Sequence, residues 1–353
     1  MTQGGRPVKG RGASENPKNR FYTRSIEPDP EAGEPLEPLP RTQFLRDASR
    51  SVIATNDSPD LGFKASVNPY RGCEHGCVYC FARPFHEFLG YSSGLDFETK
   101  ILVKEDAPEL LERELSSPRW TPQTLALSGV TDAYQPVERR LGLTRRVLEV
   151  LARFRNPVWV VTKNHLVTRD ADVLSELAGH RATAVTVSVT TLDPELARRM
   201  EPRTSTPERR LAAIARLAAS GIPVGVNVAP VIPGLTDHEI PAILQAAARS
   251  GASFAGHSVV RLPHAVKTLF EAWLSDHVPD RRDRVLHRIR DVRGGGLNDP
   301  RYGDRLHGQG AYADQIRALF ALGCRKARLK TDPPELSTAG FRLPPGPQLT
   351  LFG

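Results

Sequence analysis

The sequence predicts an α/β protein built as a partial (β/α)6 TIM-type barrel, with a helical C-terminal extension and irregular tails. Two observations carry this reading. Short runs rich in β-branched residues alternate with longer amphipathic runs. The short runs are apolar almost throughout, as strands of a parallel sheet covered by helices must be. An open doubly wound sheet would give a similar pattern. In either architecture, functional groups belong at the C-terminal ends of the strands. The composition agrees: 353 residues, 39% hydrophobic and 25% charged, is ordinary for a globular chain and excludes a disordered or fibrous one.

The elements follow in order. Residues 1–42 are polar and Gly-rich, then Pro-rich (EPDPEAGEPLEPLP over 27–40), and read as mostly irregular and mobile. The barrel is assigned to 43–262. Its strands are expected at 64–68, 124–128, 157–162, 184–190, 224–229 and 254–262, with VWVV, VTVSV and VGVNV supplying the β-branched signal. Helices are expected after Asp106, from Thr144, and at 170–177, 207–219 and 237–249. Asp170 and Thr236 read as N-caps. Thr206 reads as a cap with Pro207 in the first turn, and Gly221 and Gly251 as helix ends. Beyond 262 the pattern turns helical, at 265–275, 280–293 and 312–322, forming an extension over 263–331. Residues 332–353 are Pro-rich and read as an extended tail.

Forty-eight Lys and Arg against 40 Asp and Glu leave a net charge of +8. Only nine of the cations are Lys. The charges are scattered, so a basic chain permits nucleic-acid binding without establishing it. No apolar run reaches the ~18 residues of a membrane-spanning helix. The N-terminus lacks an apolar secretory core, so a cytoplasmic location is expected. Four cysteines exclude a disulfide framework in a chain this long.

Three of those cysteines, Cys73, Cys77 and Cys80, fall within eight residues. They directly follow the first strand, on a loop marked by Pro69, Gly72 and Gly76. The spacing is C-x3-C-x2-C. Thiolates on one tight loop can reach three irons of a cubane cluster and leave the fourth iron without a protein ligand. Other readings stand beside this one. Structural zinc would need a fourth ligand, such as His75 or His86. Cys77 and Cys80 could form a redox dithiol.

The cysteine spacing, with Tyr79 before the third cysteine, resembles the signature of the radical S-adenosylmethionine (SAM) superfamily. More narrowly, the chain resembles the bacterial group related to spore photoproduct lyase. The blocks that carry this are GRGASENPKNRF, TNDSPDLGFKASVNPYRGCEHGCVYCFARP, LSGVTDAYQPVE, VVTKNHLVTRDADVL, SVTTLDPELARRMEPRTSTPERRL and VGVNVAPVIPGLTD. The resemblance implies a barrel of radical SAM type, a [4Fe-4S] cluster on Cys73, Cys77 and Cys80, and SAM on the open iron. Reductive cleavage of SAM would give a 5′-deoxyadenosyl radical that abstracts hydrogen from a substrate. An electron donor such as flavodoxin or ferredoxin is implied as a partner.

The resemblance also implies SAM contacts. Tyr79 corresponds to an aromatic near adenine. Ser128 and Asp132 lie where the methionine amino group is met, and an amine needs acceptors. Lys163 ends the third strand, where a lone cation calls for a carboxylate partner such as that of SAM. Ser188 is placed near ribose or methionine, and Ala229 along adenine. Each has a plainer alternative: a loop aromatic, turn caps, backbone hydrogen bonds. Glu201 belongs to a recurrent block of the group, with an ion pair to Arg203 or a neighbour as its alternative. Spore photoproduct lyase uses a cysteine after its second strand to return hydrogen. Residues 124–137 contain none, so thymine-dimer lysis is not expected. Cys324 sits in GCRK, read as a turn, and as a structural thiol more readily than a hydrogen donor.

The chain ends QLTLFG. Apolar anchors on a Pro-rich tail suit docking into a groove on another protein. Gln348, Leu349, Leu351 and Phe352 resemble the peptide with which bacterial replication and repair proteins bind the sliding clamp. Two function classes follow: a radical SAM enzyme with a nucleic-acid setting for its substrate, or a non-catalytic iron–sulfur or zinc adaptor tethered to the clamp.

Overall fold

The computed structural model describes residues 7–23 and 41–344. The QLTLF peptide at 348–352 lies outside the described residues. Six parallel strands run side by side in chain order: β1 (Ala65–Val67), β2 (Leu125–Leu127), β3 (Val158–Thr162), β4 (Thr183–Ser188), β5 (Val224–Val231) and β6 (Phe254–Val259). An antiparallel strand, Ile53–Thr55, borders β1. Helices α1 (Ala107–Leu115), α2 (Leu143–Phe154), α3 (Ala171–Gly179), α4 (Pro207–Ala219) and α5 (Ile240–Arg249) fall between successive strands. Among the described residues β6 does not pair with β1, so the sheet stays open, as a partial barrel leaves it.

Packing explains the apolar runs. Every residue of β4 is buried, because helices cover one face and the barrel interior the other. In α2, Val147, Leu148, Leu151 and Phe154 are fully buried and share one helical face. Burying each such side chain contributes about 1.5–3 kcal/mol. Gly225 of β5 lies opposite Phe254 of β6. A Cβ on it would come 2.3 Å from the Phe254 ring, so only glycine lets that ring lie across the strand pair.

Asp170, Thr206 and Thr236 all stand at N-cap positions, but only one of the three side chains makes a capping hydrogen bond. Thr206 does cap α4, accepting from the Arg209 amide. Asp170 caps nothing; its carboxylate is taken by Arg169, 2.7 Å away. The Thr236 hydroxyl accepts from the Ile232 amide instead, inside the turn after β5. Gly221 and Gly251 adopt the left-handed conformation expected of helix ends, with φ of +74° and +96°.

The C-terminal extension comprises α6 (Val266–His277), α7 (Arg282–Val292) and α8 (Ala311–Ala327). Cys324 lies within α8, not in a turn, and is buried in the main core. The α8 helix runs through the GCRK segment, and a Cβ on Gly323 would come 2.6 Å from Leu244 of α5. Residues 7–23 form no helix or strand, yet they are not loose: their backbone is bound to the cysteine loop and its neighbours. A small sheet of Gln43–Arg46, Lys100–Val103 and Tyr70–Arg71 was not anticipated. Among the described residues no helix is long and apolar enough to cross a membrane.

Candidate active site

The cysteine loop leaves β1 through Tyr70–Arg71 and makes two tight turns. The Gly76 amide donates to the Cys73 carbonyl (3.3 Å) and the Cys80 amide to that of Cys77 (3.2 Å). Gly72 and Gly76 have φ of +79° and +66°, which a side chain would resist. A Cβ on Gly72 would also come 3.0 Å from two carbonyl oxygens. Cys73 and Cys77 are buried and Cys80 is half-buried.

A buried ion pair holds this loop from beneath. Arg83 and Glu98 are both fully buried and 2.5 Å apart. Arg83 donates to the carbonyls of Cys77 (3.0 Å) and Gly76 (3.1 Å). Glu98 accepts from the amides of Gly12 (3.0 Å) and Ala13 (2.8 Å). The N-terminal GRGA stretch is thereby fastened across the loop. A Cβ on Gly12 would lie 1.7 Å from the Gly76 carbonyl oxygen, so backbone meets backbone there.

Side chains from the strand ends converge on the loop. Glu201 is buried and accepts from Tyr79 and Arg210 in short hydrogen bonds. Lys163, just past β3, lies 3.6 Å from Glu201 and donates to the Ala229 carbonyl at 2.7 Å. The Thr190 hydroxyl lies 2.7 Å from Glu201 and 2.9 Å from that same carbonyl. Asp132 accepts from the Thr162 hydroxyl (2.8 Å) and from the amides of Lys163 (2.8 Å) and Tyr134 (2.9 Å), with His75 3.4 Å away.

The electrostatics follow from burial. Together with the charge of Arg210, it pushes Lys163 down to about 8. It pushes the Glu201 carboxyl up, against the pull of Arg210. Burial would also raise Asp132, but His75 and the two amides outweigh it and hold the group below the usual carboxylate range. All three thiols are pushed up by burial. Asp132 acts on Cys73, and Glu201 and Lys163 act on Cys77, so strand-end charges and loop face each other.

The structure brings Tyr79, Asp132, Lys163 and Ala229 together around the cysteine loop. Ser128 is one step removed: its hydroxyl accepts from the Ala133 amide at 2.8 Å, with the residue itself at φ +75°. Ser188 is buried, and its carbonyl accepts from Arg210. Ala229 does not end its strand, since β5 continues to Val231 through a cis Ala229–Pro230 bond. Glu201 pairs with Arg210, whereas Arg203 pairs with Glu74. Thr190, Arg210, Arg83 and Glu98 went unnoticed in the sequence. An arginine on a helix reads as solvated, and only a buried carboxylate elsewhere reveals otherwise.

The residues suit an iron–sulfur cluster. Three thiols, two buried and one half-buried, share one loop, and thiolates there need a cationic group to offset the desolvation. Of the two histidines that could supply zinc's fourth ligand, His75 is engaged elsewhere, while the buried His86 Nε2 has no hydrogen-bond partner among the described residues. His75 bonds Asn164 at 3.1 Å and faces Asp132. The His86 ring packs against Tyr91 and the edge of Phe97. Among the described residues no three His, Cys, Asp or Glu side chains converge on a point that one ion could occupy. Three thiols on one loop suit a cluster in which each takes its own iron.

Comparison with known proteins agrees. The family model described as the Radical SAM superfamily matches residues 67–247. An uncharacterized protein of Mycobacterium tuberculosis (strain ATCC 25618 / H37Rv) is 36% identical over 286 residues, covering 79% of this chain and 80% of its own. An uncharacterized protein of Methanocaldococcus jannaschii is 29% identical over 178 residues, covering 50% and 64%. Among solved structures, spore photoproduct lyase complexed with dinucleoside spore photoproduct superposes with a TM-score of 0.53 at 16% identity, covering 80% of this chain and 79% of that one. At that identity the likeness concerns the fold alone.

Proposed function

The chain belongs to the radical SAM superfamily, and on that premise we propose that Cys73, Cys77 and Cys80 hold its cluster and that the strand ends around them receive SAM. It is a radical SAM enzyme, with a [4Fe-4S] cluster and SAM as cofactors. When bound, these cofactors supply an electron and a cleavable sulfonium, and hence a means of abstracting hydrogen from an unreactive position. The observation that carries the assignment is the three-thiol loop, set against Asp132 and Lys163 beyond the C-terminal ends of β2 and β3 and against Glu201 at the end of the helix Pro194–Met200.

The side chains divide the work. Lys163 is half-buried and tethered to a carbonyl, so it offers a positive charge for the SAM carboxylate. Glu201 and Thr190 hold that ammonium group in place. Asp132 stays ionised beside the loop and supplies acceptor oxygens for the amino group. Tyr79 is pinned by Glu201 and offers its ring to the adenine. Ser128, Ser188 and the Ala229 backbone complete the surround. Burial excludes water from the thiols, which protects a reactive site from side reactions.

For the substrate we favour nucleic acid, in a DNA-repair setting within the reducing cytoplasm. Supporting this are the +8 charge and the clamp-like peptide at 348–352. The test is anaerobic reconstitution followed by SAM and dithionite. Release of 5′-deoxyadenosine and methionine is expected. A colourless zinc protein that yields neither would instead indicate the clamp-tethered adaptor.

A further inference from the structure

An open depression of about 400 Å³ lies between the turn His165–Asp170, which follows β3, and the α4 helix. Its lining includes Arg139, Arg209, Arg216, Arg169, His165 and Leu166. Arg169 is tied to Glu138 and Asp170. Arg139, Arg209 and Arg216 are exposed, and none of them has a carboxylate partner among the described residues. Elsewhere the surface arginines commonly do: Arg145, Arg153 and Arg301 pair with acids. The three free guanidinium groups face one place. Arg209 lies 3.4 Å from His165 Nδ1, and the charges lowering that imidazole, after burial, are Arg209, Arg216 and Arg139. Like charges gathered without counter-charge repel one another, so their complement is an external anion.

We propose that this depression binds the phosphodiester backbone of a nucleic acid. Guanidinium forks match phosphate oxygens. Arg209 and Arg216 are seven residues apart on α4, or roughly 10 Å along its axis, a span that suits successive phosphates better than one small anion. Leu166 is the single apolar lining residue, which leaves little to enter a bilayer. The place also fits. His165 follows Lys163 by two residues, and its amide bonds Ser205, which bonds Asn164, which contacts His75 of the cysteine loop. A strand held here runs along the rim of the active end. This goes beyond the radical chemistry. It rests on the nucleic-acid reading of the substrate, and binding can be measured without turnover.

The experiment uses the full-length reconstituted protein and a fluorescent single-stranded oligonucleotide, read by anisotropy across a salt series. R139E/R209E/R216E is compared with R249E/R281E/R325E, which makes the same charge change at exposed positions elsewhere. The first should weaken binding about tenfold or more and flatten the slope of log K against log salt by ~2, as losing three phosphate contacts predicts. Thermal midpoint and iron content check that both variants fold. R209Q/R216Q, which removes charge without reversing it, should move affinity and slope in the same direction. Equal loss in both triple variants would overturn the site and leave the nucleic-acid reading standing. Failure of the unaltered protein to bind the oligonucleotide would remove that reading and the site together. Displacement by pyrophosphate as effectively as by unlabelled oligonucleotide, or preferential capture by anionic phospholipid vesicles, would also overturn the proposal.

Discussion

Replacing Glu98 by Gln should destabilise the protein and loosen the cysteine loop. The carboxylate is fully buried and accepts from Arg83, Ala13 and Gly12 at 2.5, 2.8 and 3.0 Å. The amide keeps the shape but removes the charge. Arg83, itself fully buried, is then left facing only carbonyl oxygens. Breaking a buried pair from one side costs about 3–5 kcal/mol. Two of the carbonyls that Arg83 holds belong to Gly76 and Cys77, so the loss should reach the cluster. Urea unfolding would measure the stability change, and the rate of iron loss to a chelator the effect on the loop. An E98Q protein within ~0.5 kcal/mol of the parent, with unchanged iron release, would refute the reasoning.

Three further outcomes are expected. Burial holds His86 and His257 down to about 4, so the folded chain resists their protonation while the unfolded chain accepts protons below about 6.5. Stability should be complete above that pH and decline between 6.5 and 4, by up to about 3 kcal/mol per histidine; thermal melts of H257N should show a shallower decline. Gly225→Ala should cost about 1–3 kcal/mol through its clash with Phe254, measured by urea midpoint, and trimming the ring in G225A/F254L should recover part of it. Deleting residues 348–352 should abolish binding to a purified sliding clamp in a pull-down; retained binding would discard the peptide assignment.

The strands were legible where β-branched residues run together. VWVV, VTVSV and VGVNV each became a strand of the sheet, VTVSV buried throughout and VWVV buried at alternate residues. The α4 helix was legible to its ends because Thr206 and Pro207 start it and Gly221 follows its last turn. Gln43–Arg46 and Lys100–Val103 were not, since four-residue strands carry too little pattern. In the site, the cysteine loop showed through spacing alone. Glu98 did not: its partners Gly12 and Ala13 are 86 and 85 residues away, and no local signal announces such a contact. Arg209 and Arg210 are identical in sequence, yet one is exposed and the other fully buried. Arg210 shares the buried helical face with Ala213, Ile214 and Leu217, where Glu201 and the Ser188 and Ser205 carbonyls receive its guanidinium.

The central claim is that three cysteines leave one iron open to SAM. Its most direct measurement is the electron paramagnetic resonance spectrum of the reduced, reconstituted protein with and without SAM. A [4Fe-4S] signal that changes on adding SAM and is lost in Cys77→Ala is expected. A signal indifferent to SAM, or a full cluster in the Cys77 variant, would contradict it.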